Sequence, residues 1–202
     1  MHWHKVVGAI KWVKYFADVY EHHVIIHGFI SYWCLDNDSL ELPRRKRTML
    51  VNEVFGELEF DYTWYKNEQI NFGEKEVDIV VLVAGDEEGD FEQGQYEAYL
   101  EFKNKWSSIQ NMLLESILEY YKKRREELGY DAKENERYPE IRSIDQLISH
   151  ITLVGIKVPY AEMYGGRSIG LSFDCTWDDE NGIGVRLSDE RVIKIGFQDV
   201  AL

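Results

Sequence analysis

The chain is poor in cysteine: Cys34 and Cys175 are the only two in 202 residues. Two thiols make no disulfide framework and suit a reducing compartment, so the expected location is the cytoplasm. A secretory leader and a membrane span are also missing from the pattern. The apolar N-terminal stretch is broken by Lys5, Lys11, Lys14, Asp18 and Glu21 too often for either. Basic charge is short as well. A net charge of −14 lacks the footprint that phosphate binding requires, which argues against nucleic acid as a partner. No internal repeat and no low-complexity segment interrupts the chain.

The motifs that carry chemistry are equally scarce. No serine stands in a nucleophile elbow, and no Gly-rich run resembles a phosphate loop; Gly165-Gly166 reads as a turn. His23 and His27 have the spacing of a helical zinc pair. However, Val24-Ile25-Ile26 between them favours a strand, and the glutamate of a zinc-protease helix is absent. Asp178-Asp179-Glu180-Asn181-Gly182 fails the calcium-loop alternation. Cys175 falls on an apolar strand face, where a thiol is inert packing. The expectation is therefore no catalytic residue, no metal site and no cofactor.

What the chain does have is apolar bulk and acid. Hydrophobic residues make up 45%, aromatics 14% and charged residues 30%, the profile of a globular protein with ring-rich packing. Charge is uneven. Residues 1–48 hold seven Lys/Arg against five acids, and the remainder holds 16 against 32. Such an acidic body attracts cationic partners and repels anionic ones.

Hydrophobic periodicity predicts an α+β fold: antiparallel sheet packed on one long helix, with an N-terminal helix-strand extension over residues 1–48 and a single domain over 49–202. Residues 5–21 repeat at helical spacing, Val24 to Trp33 is strand-like, and the basic run Arg44 to Arg47 marks the boundary. Phe55 to Tyr65, Glu68 to Phe72 and Val77 to Ala84 read as strands. Asp90 with Gln93 suggests the cap of a long helix, and Tyr99, Phe102, Trp106, Ile109, Leu113, Ile117 and Tyr120 form its stripe. Lys122 to Arg125 and Gly129 end it. Ser143 with Gln146 predicts a short capped helix. Ile151 to Val158, Arg167 to Trp177, Ile183 to Leu187 and Val192 to Phe197 complete a β-rich end.

The last hairpin is the most distinctive feature. Leu171, Phe173, Cys175 and Trp177 share one face, and Ile183, Val185 and Leu187 share a face on the return. A three-residue bend, Glu180-Asn181-Gly182, pairs Trp177 with Val185 and keeps the core face apolar; Gly182 supplies its left-handed residue. Ser172, Asp174 and Thr176 then face outward, with Arg186 across from Thr176. Asp174 and Asp178 stand roughly 13 Å apart at about 3.3 Å per residue, too far to share one metal ion. The expected partner-binding residues are Trp177, Asp178, Asp179, Glu180, Asn181 and Arg186.

From about Phe55 to Leu202 the chain resembles a family of small bacterial α+β proteins. The resemblance rests on Phe55-Gly56-Glu57-Leu58, on Gln95 with Tyr99, on Tyr120-Tyr121, and most specifically on the run Gly170 to Val185 followed by Val192 to Asp199. Similar small acidic proteins include cytoplasmic immunity proteins that neutralise toxins. The resemblance implies a non-enzymatic binding module acting on a protein partner, such as a basic toxin. The competing expectation is a hydrolase or metal-dependent enzyme built on the N-terminal histidines and acidic loops. A third makes residues 5–33 a homodimerisation or membrane-surface element.

Overall fold

The computed structural model describes residues 48–130, 135–161 and 163–201. The strands are β1 (Thr48–Asn52), β2 (Gly56–Phe60), β3 (Trp64–Phe72) and β4 (Lys75–Val83), followed by β5 (Ile151–Val158), β6 (Ser168–Cys175), β7 (Ile183–Ser188) and β8 (Arg191–Gly196). Helix α1 (Gln93–Glu127) and the short α2 (Ile144–Ile148) lie between β4 and β5, and a 3₁₀ turn, Gln198–Ala201, follows β8. All eight strands form one sheet in sequence order. Neighbours run antiparallel except β4 and β5, which are parallel. A parallel pair needs a long crossover, and α1 supplies it. The α+β class expected from periodicity is what forms. The expected N-terminal helix and strand, with the basic run, fall outside the described residues.

Local departures from expectation have local causes. The stretch Phe55 to Tyr65 is not one strand, because Asp61-Tyr62-Thr63 turns it back. Tyr62 adopts φ +64°, and the Asp61 amide donates to the Thr63 carbonyl at 3.1 Å. Strand β1 has no expected counterpart. Helix α1 starts after Glu92 and not after Asp90. The Gln95 side-chain carbonyl accepts the Glu92 amide at 2.9 Å, and its amide donates to the Ala84 carbonyl at 2.8 Å. Buried Gln95 thereby pins the helix start to the end of β4. At the other end Tyr121 is buried and Tyr120 half-buried, because a stripe drawn at fixed spacing drifts around a 35-residue helix. Gly129 stops the helix at φ +72°. The Ser143 hydroxyl caps α2 by accepting the Gln146 amide at 3.3 Å.

The sheet curls around α1. Lys103 pairs with Glu68 of β3, while Lys105 Nζ lies 2.8 Å from Glu190 Oε2 in the β7–β8 turn. Two residues along a helix are about 200° apart around its axis, so these bonds reach opposite flanks. Phe55 closes the helix's first turns from above, in ring contact with Phe91, Tyr96 and Tyr99 at 5.1–5.3 Å between centroids.

The far face of the sheet is covered too, over β6 and β7. A side chain at Gly170 would place its Cβ 1.9 Å from the Ala201 carbonyl oxygen, and one at Gly184 would sit 2.4 Å from that of Phe197. The chain end therefore lies flat on those two strands. Ser172, expected at the surface, is buried beneath this cover.

Candidate functional site

The acidic loop comes from a parting of two strands. β6 and β7 pair from Ser168↔Ser188 to Phe173↔Ile183, and the chain between Phe173 and Ile183 leaves the ladder. The expected three-residue bend does not form. Val185 faces Leu171 and Ile195, not Trp177. The displacement is an even number of residues, so each side chain keeps its face while its neighbour changes. Three contacts decide the outcome. β5 holds β6 as far as Ile151↔Cys175. Trp177 packs on Tyr121 at 4.3 Å between centroids and is only 4% exposed. Gln198 fills the fork, its Nε2 donating to the Phe173 carbonyl at 3.0 Å and its backbone amide to the Asn181 carbonyl at 3.1 Å.

The loop tip is ordered from within. Asp178 Oδ1 accepts the Asn181 backbone amide at 3.1 Å and its side-chain amide at 3.0 Å. The Gly182 amide donates to the Asp178 carbonyl at 3.0 Å, with Gly182 at φ +56°. Asp179, Glu180 and Asn181 are exposed. Arg137 Nε lies 3.4 Å from the Trp177 carbonyl, and its NH2 lies 3.9 Å from Asp179. The expected partner-binding set thus divides: four polar residues stay together at the tip, and Trp177 anchors the loop from inside.

Arg186 is elsewhere. It pairs with Gly170 on one side and Lys194 on the other, well along β7, and not across from Thr176. Its guanidinium lies 3.6 Å from the centroid of the Tyr164 ring. Across Gly170, Lys157 is buried, and burial together with the charge of Arg186 lowers its amine to about 8. The Cys175 thiol is pushed up to about 12 by burial, which leaves it protonated and inert.

A second fork lies at the other end of the sheet, where periodicity gave no signal. β2 meets β3 only at Glu59↔Tyr65 and Phe60↔Trp64, and the two strands then splay. A cleft of about 350 Å³ opens there, lined by Met49, Gly56, Glu57, Glu59, Lys66 and Asn67 among others. On its helix side, burial raises the Glu68 carboxyl, but hydrogen bonds from Lys103, Lys66 and Tyr99 outweigh it and hold the group at about 2. The Tyr99 hydroxyl is driven far up by burial and by Glu68.

The family model described as a domain of unknown function (DUF6985) matches residues 54–202. The chain belongs to this family. Both forks lie within the DUF6985 region, whereas β1 precedes it. No curated protein and no solved structure matches the chain. Among the described residues no group of three or more His, Cys, Asp or Glu is placed to hold a metal ion, and no helix is long and apolar enough to cross a membrane. His2, His4, His22, His23 and His27 lie outside those residues.

Proposed function

We propose that this protein is a non-enzymatic binding module, an immunity-type inhibitor that covers the active surface of a basic toxin in the cytoplasm. The observation that carries the reading is the loop tip. Asp179 and Glu180 present exposed carboxylates on a loop that the Asp178–Asn181 bonds and buried Trp177 already hold in shape. A preordered charged tip loses little conformational freedom on docking, and its charge steers a cationic partner. The net charge of −14 extends that steering over the whole body. The resemblance to small acidic immunity proteins points the same way.

The test is protection. The chain is expressed in a bacterium together with the product of the reading frame adjacent to its own, tested as the candidate toxin. Expected is restored growth and a stoichiometric complex. Unprotected cells, with no complex between the two purified proteins, would sink the proposal.

A further inference from the structure

The edge of β3 is the unusual surface of this molecule. The β3–β4 hairpin closes at Phe72↔Lys75 around Gly73-Glu74, with Gly73 at φ +62°. In a two-residue hairpin the closing pair exchanges hydrogen bonds, so even-numbered residues of β3 bond to β4 and odd-numbered ones aim their N–H and C=O outward. Tyr65 meets Glu59 of β2. The Asn71 carbonyl takes the Trp106 indole N–H at 2.8 Å. Between those stops Asn67 and Gln69 face no strand among the described residues, and both are exposed.

Open edges are usually guarded by a proline, a bulge or a charge. β8, at one end of the sheet, has Arg191, Lys194 and a bulge opposite Arg186/Leu187. β3 has neither a proline nor a bulge along its open stretch. Its two charges, Lys66 and Glu68, are bonded to each other at 2.8 Å on the helix side. The splay of β2 adds a cleft beside the same backbone groups.

We propose that Asn67 to Gln69 of β3 accepts an extended, lysine- or arginine-bearing segment of a partner protein as an added strand. Backbone pairing supplies the docking, and flanking charge selects the occupant. Strands β1 to β4 with their turns, residues 48–83, carry eight acids against two lysines, and Lys66 is already engaged with Glu68. Exposed Glu57 and Glu76 flank the open stretch on the neighbouring strands. A cationic strand meets complementary charge there, and an acidic one meets repulsion. The inference rests on the binding-module reading only in taking the partner to be a protein.

The test is an amide NMR titration of the full chain with a blocked peptide alternating lysine and valine. Expected are shifts and slowed exchange centred on Asn67 and Gln69. Replacing the peptide's lysines by glutamates should weaken binding at least about tenfold, the size of one sizeable charge contact. Gln69→Pro removes an outward N–H without removing a β4 bond, and should abolish the response while Gln69→Ala keeps it. Should Gln69→Pro fail to fold, the exposed double reversal Glu57→Lys/Glu76→Lys should weaken the lysine peptide by a similar factor. Shifts centred on residues 178–181, equal binding of the acidic peptide, or the same amides shifting with protein concentration alone would overturn the proposal. The last result would mean that a second copy fills the edge. Toxin protection with a silent edge would sink this inference and leave the proposed function standing.

Discussion

Two partings of the sheet differ in what fills them. Between β6 and β7 the fork is occupied: Gln198 bonds the Phe173 carbonyl, Trp177 turns in against Tyr121, and the chain end lies over Gly170 and Gly184. Between β2 and β3 the fork is open among the described residues, with a cleft and two outward-facing residues on the edge. Strand separation costs ladder hydrogen bonds in both places. At the closed fork other protein groups make up the loss, and the result is a shaped, rigid loop. At the open fork Trp106 makes such a replacement at the Asn71 carbonyl, none is made at Asn67 and Gln69 among the described residues, and the proposed added strand would supply it there.

The sharpest way to break this comparison is to empty the closed fork. Trp177→Ala removes the ring that anchors the acidic loop, and truncation of a buried Trp costs about 3–5 kcal/mol. Urea unfolding followed by circular dichroism should show a loss of that size. A loss below about 1 kcal/mol would mean that Gln198 and Asn181 hold the loop without Trp177.

Acid tests the cluster beside the open fork. Glu68 is held at about 2 in the folded chain against an ordinary value of 4.5, so the folded state favours its charged form. Its contribution is fully present above the ordinary value and disappears as pH falls from there toward about 2. Allowing for solvent that reaches the group, the loss is about 1–2 kcal/mol. Glu68→Gln should flatten that part of the pH–stability profile; an unchanged profile would remove Glu68 from the account.

A smaller effect is expected at Gln198. Gln198→Ala deprives the Phe173 carbonyl of its side-chain donor and should cost about 1 kcal/mol. The local readout is hydrogen exchange, which should quicken at Asn181 and Gly182 and stay unchanged at Asn67 and Gln69. Quickening at both forks would show that they are coupled through the sheet.

How much of this the sequence makes legible follows from what each pattern encodes. The span Ile151 to Val158 emerges as written because its apolar run is bounded by α2 and the following loop. Helix α1 was legible from its stripe, but its cap was not, because Glu92 is a poor cap by type and the anchoring falls to Gln95 and the end of β4. Alternation in β6 and β7 fixes which face each residue takes, and it says nothing of which even-numbered displacement the pair adopts. Trp177 on Tyr121, 56 positions back along the chain, settles that, and no local signal announces it. The acids of the loop tip could be read directly. The open edge of β3 could not, because it consists in the divergence of a neighbouring strand.

The loop tip itself should matter least to stability and most to the proposed function. Asp179 and Glu180 are exposed, and the ion pair of Asp179 with Arg137 spans 3.9 Å between side chains 86% and 66% exposed. Such a pair contributes little, so Asp179→Lys with Glu180→Lys should change unfolding free energy by no more than about 0.5 kcal/mol. The same double reversal turns two attractive charges into repulsive ones toward a basic partner, and it should slow association with the toxin while leaving the fold intact. Measured association rates would separate the two surfaces: a rate unchanged by the tip reversal but lowered by Glu57→Lys/Glu76→Lys would move the docking surface from the closed fork to the open one.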